Sequence, residues 1–140
     1  MTKRISLTKN LFLDEYIPKK LYTQYEKSPN KLIWMLDKRL VDSDQMLRNI
    51  FGPVTINNWW SGGDRQWSGI RTAASPDFSP ASLHAFGRAS DKLFRDAPAL
   101  KVQDYVQKNW QTLGVTGLEL GVTWVHTDTR YAEKLIAFKP

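Results

Sequence analysis

The chain contains no cysteine, which excludes disulfides and thiolate metal sites, so any metal must be held by His, Asp or Glu. No apolar run is long enough to span a bilayer, and the opening MTKRISLTKNLFLDEY carries a charge every few residues, without the apolar core of a signal peptide. Stable membrane insertion and export by a classical signal are therefore not expected; synthesis in the cytoplasm is. Internal repeats, low-complexity tracts and long linkers are also lacking, so Pro and Gly read as turns within one unit. Acidic residues are the scarcer sign: 14 Asp and Glu against 20 Lys and Arg give a net charge of +6. That balance favours polyanionic surroundings, whether nucleic acid, anionic lipid or the acidic polymers of a cell envelope.

With 140 residues and 41% hydrophobic side chains, the chain suits a single domain over 1–140, expected to be a monomer, with a core of its own. The stretch before Pro18 reads as a short strand or extended arm followed by a turn. Leu36, Leu40, Leu47, Ile50 and Phe51 keep a helical spacing that Gly52 and Pro53 end, which predicts a core-facing helix over 36–51. VTINNWW (54–60) reads as a strand, SGGD as a turn, and WSGIRT (67–72) as extended chain. A helix is expected from about Ala97 to Leu113, stopped by Gly114, and RASDKLF, GLEL, TWVHTDTR and EKLIAFK read as strands. Helices early, strands late and no βαβ rhythm predict an α+β fold: a small antiparallel sheet with flanking helices.

Side chains alternate along a strand, so Trp124, His126, Asp128 and Arg130 share one face of TWVHTDTR. Such a face suits the wall of a polar cleft, or equally an exposed surface carrying an Asp–Arg pair and a histidine. The other histidine, His84, lies in SLHAFGRASD, seven positions before Asp91 with Gly87 between. A reversal at the glycine can bring the His84 ring and the Asp91 carboxylate together. With His126 added, two imidazoles and a carboxylate make the three-ligand set that catalytic zinc sites use. Trp59, Trp60 and Trp67 either line such a cleft or belong to the core.

SLHAFGRASD resembles the S-x-H-x-x-G-x-A-x-D signature of the zinc D-Ala-D-Ala carboxypeptidases and endopeptidases that cut bacterial cell-wall peptides, matching it at Ser82, His84, Gly87, Ala89 and Asp91. WVHTDTR is similar to the second signature of that family, in the V-H-x-D-x-R form of its shorter phage and bacterial members, and WSGIRT to its S-G-x-R element. The resemblance implies a fold like that of the Hedgehog signalling domains and DD-peptidases. It implies that His84, Asp91 and His126 bind zinc, and that Arg71 contacts a substrate carboxylate or the polarised carbonyl oxygen; Ser82 and Trp124 are the further substrate-binding candidates. Many relatives carry a glutamate about three residues before the last histidine as general base, where this chain has Thr123. Glu119, seven before, is the expected base, and Asp128 the reserve.

The implied activity is zinc-dependent hydrolysis of peptidoglycan stem peptides by a bacteriophage lysis enzyme, an endolysin, acting at the bacterial cell wall after phage-mediated release or as a virion component. A second reading, prompted by Thr123, is a non-catalytic zinc-binding virion or envelope-binding module of the same fold. A third, a basic nucleic-acid binder, leaves SLHAFGRASD without a role, so nucleic acid is not the expected partner.

Overall fold

The computed structural model describes residues 3–140, so Met1 and Thr2 of the expected domain lie outside the described residues. Four helices, α1 (Lys19–Tyr25), α2 (Asn30–Ile33), α3 (Lys38–Phe51) and α4 (Ala99–Leu113), accompany five strands, β1 (Val54–Thr55), β2 (Ala89–Phe94), β3 (Gly117–Glu119), β4 (Val125–Asp128) and β5 (Ile136–Phe138). The strands form one sheet in the order β1-β2-β4-β3-β5. The α+β expectation holds, with one correction to the sheet. β1–β2, β2–β4 and β3–β4 are antiparallel, but β5 lies parallel to β3. β4 already has β2 and β3 as neighbours, so the returning chain cannot close a hairpin on it and adds to the free edge of β3 instead. Among the described residues no helix is long and apolar enough to cross a membrane.

α3 follows its sequence pattern closely. The Asp37 side chain accepts a hydrogen bond from the Arg39 backbone N–H at its N-cap, and Gly52 ends it. Leu40, Val41 and Leu47 are buried, and each contributes roughly 1.5–3 kcal/mol by leaving water. α4 stops at Gly114, whose φ of 79° is the left-handed value glycine adopts without strain. It buries Val102, Val106 and Leu113 against Leu118 and Val125 of the sheet and Val115 of the connection to β3.

Two stretches depart from the sequence reading. VTINNWW keeps a strand only at Val54–Thr55 and then turns into the short 3-10 helix Trp59–Ser61. Two asparagines divert it: Asn57 Oδ1 accepts from the Ser68 N–H and Asn58 Oδ1 from the Arg65 N–H, so their side chains compete with a sheet ladder. WSGIRT is irregular and joins no strand, held by Ile70 N–H to Tyr16 O at 2.8 Å and Arg71 N–H to His84 O at 3.1 Å. Trp59 is core: its Nε1–H donates to Ile17 O, and Tyr22 packs edge-on against both Trp59 and Trp60.

Alternation along β2 and β4 sends chemistry to both faces of the sheet. Ser90 and Lys92 meet Thr127 and helix α3 on the back; Asp91, His126 and Asp128 project from the front.

Candidate metal centre

Ser82 begins the local structure that presents His84. Its Oγ accepts from the His84 N–H at 3.2 Å and caps the single 3-10 turn Leu83–Phe86. Gly87 then reverses the chain with φ 69°. Its place tolerates no side chain, because a Cβ there would stand 1.9 Å from Met35 O. β2 starts two residues later, and within it Asp91 sits directly opposite His126 of β4. Turn and register together bring His84, Asp91 and His126 to one point, with one ligand atom from each lying within 4.8 Å of the others.

Second contacts orient each donor. His84 Nδ1–H donates to Gly69 O at 2.8 Å, which leaves Nε2 turned toward Asp91 Oδ1, 3.4 Å away. His126 holds Asp91 Oδ1 through Nδ1 at 2.9 Å and Asp128 Oδ2 through Nε2 at 2.8 Å. The other oxygen of Asp91, Oδ2, receives Arg71 Nη2 at 2.8 Å, and Arg71 Nε–H donates to Trp67 O. Burial works against charge on Asp91, but hydrogen bonds from His126 and His84 outweigh it and hold the carboxyl well below its usual range. Burial likewise opposes charge on His126, yet its bonds to Asp128 and Asp91 raise its pKa above the ordinary histidine value. Asp128 is depressed in the same manner, burial being overcome by Arg130 and then His126.

These residues lie along a groove of about 590 Å³, lined also by Arg71, Ser82, Glu119, Trp124 and Arg130. Every site residue expected from the sequence thus meets at one groove. Glu119 ends β3, one residue past the Leu118–Thr127 pair with β4, and lines the same groove as His126. Trp124 stands 36% exposed at the rim. Arg71 is engaged with Asp91 instead of standing free, and Asp128, the reserve base, is fully buried behind His126. Thr123 is exposed and does not line the groove. Four lining residues escaped the sequence reading: Asp77, Ala81, Leu83 and Phe138. The position of Asp77 between Arg71 and His84 was a usable signal, since a loop joining two site elements must pass the site; Phe138 depended on the direction of β5.

A set of two imidazole nitrogens and one carboxylate oxygen, each fixed by a second partner, can hold a metal ion, and the donor types suit zinc. Comparison with known proteins gives no relative: no family model, curated protein or solved structure matches the chain.

Proposed function

We propose that the chain is a zinc peptidase that hydrolyses peptide bonds in the stem peptides of bacterial peptidoglycan, as a DD-carboxypeptidase or endopeptidase serving phage lysis. The observation that carries this reading is the convergence of His84, Asp91 and His126 at the floor of an open groove that also holds Glu119 and Arg71. The motif resemblance adds the substrate class. Bound there, zinc supplies Lewis-acid polarisation and activates water at neutral pH. Glu119, lining the same groove as His126, accepts the proton of the attacking water and returns it to the leaving amine. Arg71 gives Nη2 to Asp91 and Nε to Trp67 O, and offers Nη1 to a substrate carboxylate or a developing oxyanion. Trp124 and Ser82, on the groove wall, contact the peptide.

The test is digestion of purified peptidoglycan before and after chelation. New peptide ends that appear with the untreated protein, vanish with chelator and return with added zinc support the reading; release that ignores chelator contradicts it. A second reading has its own observation: Thr123 is exposed and lies off the groove. It makes the chain a zinc-binding envelope or virion module without turnover, and stoichiometric zinc with no released ends is its signature.

A further inference from the structure

The contacts of Asp128 assign it a different task from proton transfer. We infer that Asp128 is a positioning residue, which clamps the His126 ring with Nε2–H held and Nδ1 turned into the groove. The inference rests on the metal reading only for its consequence, since the clamp itself is a matter of geometry.

Both oxygens of Asp128 are committed. Oδ1 accepts from Arg130 Nε at 2.8 Å and from the Arg130 backbone N–H at 3.2 Å; Oδ2 accepts from Arg130 Nη2 at 2.6 Å and from His126 Nε2 at 2.8 Å. The arginine thus grips the carboxylate as a two-pronged fork, a pairing that fixes orientation as well as charge. Arg130 is itself placed by Phe138, whose ring centroid lies 4.6 Å from the guanidinium carbon. Asp128 meets the ring nitrogen opposite the one that meets Asp91, so the imidazole stands between the two carboxylates. A group in that place is poorly set to take a proton from water on the Asp91 side. It is well set to fix which nitrogen faces that side, as carboxylates behind metal-bound histidines do.

The space for the clamp comes from β3. Gly117 pairs with Asp128 across the sheet, and a Cβ at 117 would fall 1.9 Å from Asp128 Oδ1 and 2.4 Å from Oδ2. Any side chain there must push the carboxylate away, although its φ is not in the left-handed range. Gly117→Ala is therefore a probe that removes no polar group and still disturbs the clamp.

The experiment follows the histidine ring nitrogens by NMR, with and without zinc, and measures zinc affinity by titration in the wild type, Asp128→Ala, Asp128→Asn and Gly117→Ala, with thermal melts confirming that each is folded. The wild type should show a hydrogen-bonded Nε2 proton on His126 in both states and, with zinc, the metal on Nδ1. Asp128→Ala and Gly117→Ala should lose that proton signal and bind zinc roughly 10–100-fold more weakly. Asp128→Asn, which keeps an acceptor, should lose less than Asp128→Ala. An unchanged Nε2 signal and unchanged zinc affinity in Asp128→Ala overturn the inference, and loss of turnover alongside them makes Asp128 the base instead. Failure of the wild type to bind zinc overturns the metal reading alone, because the Nε2 signal of the metal-free protein and its loss in Gly117→Ala still report the clamp.

Discussion

On the back of β2 and β4, Lys92 is 0% exposed, its ammonium 3.0 Å from the Asp44 carboxylate and 2.8 Å from both Ser90 Oγ and Thr127 Oγ1. Asp44 is closed from its own side by Tyr16 Oη and Ser90 Oγ, at 2.8 and 2.7 Å. On the front of the same strands, two residues in register, Asp91 and His126, gather with His84 around a point that opens on a groove. One sheet therefore buries charge in two ways. The back set satisfies itself within the protein, as a charge removed from water must. The front set leaves ligand atoms of three side chains turned toward one another, an arrangement that gains from a cation placed among them. A closed polar cluster specifies structure; an open one invites a ligand.

Breaking the back set should have the largest effect. Lys92→Met leaves Asp44 buried without its cation, and the loss expected in chemical denaturation is about 3–5 kcal/mol. Combining it with Asp44→Leu should recover much of that loss, since an apolar pair replaces an uncompensated charge; a double variant worse than the single would contradict the closed-cluster account.

On the front face, the proposed function predicts that Glu119→Gln leaves zinc binding intact and lowers turnover about 100-fold or more, because it removes the proposed base without touching a proposed ligand. Zinc lost along with activity would make Glu119 a ligand or a structural residue. Gly87→Ala should cost about 2 kcal/mol or more in folding stability, from the left-handed backbone and the clash with Met35 O, and should weaken zinc binding by tilting His84 away from Asp91.

The smallest effect sharpens the comparison at a third buried group. Glu15 is buried and, unlike Lys92 or Asp91, has no cation of its own: the guanidinium of Arg4 forks onto Asp14. Burial pushes its pKa up to about 7, against the lowering effect of the Phe12 N–H bond. Between its unfolded value near 4.5 and about 7, the folded state holds a proton that the unfolded state has released, so folding stability falls as pH rises through that window. The fall should be on the order of 1–2 kcal/mol from pH 5 to 7. Glu15→Gln, which keeps an acceptor for Phe12, should flatten it in denaturation curves collected across that range.

The front face was more legible in the sequence than the back. His84, Gly87 and Asp91 fall within ten residues, and the alternation in TWVHTDTR set His126 and Asp128 on one side, which the groove confirms. Lys92 was invisible as a core residue, because its partner Asp44 lies far off in sequence on α3 and a lysine within a strand reads as a solvated one. The helices α1 and α2 were missed for a related reason. At seven and four residues they are too short to be stable alone, and they exist because Tyr22 and Leu32 pack into the core cluster with Leu40 and Trp59. Pro18, which read as a break, is the N-cap of α1, and Pro29 is that of α2. The direction of β5 was equally hidden, since alternation carries no sign of parallel or antiparallel pairing, and Phe138 stayed outside the expected site for that reason.

The most direct measurement of the central claim is zinc titration of the metal-free wild type beside His84→Ala and His126→Ala, with each protein's fold verified by circular dichroism. The account predicts one zinc per wild-type chain and loss of tight binding in both variants while the fold persists. A wild type that takes up no zinc, or variants that bind it as the wild type does, would contradict it.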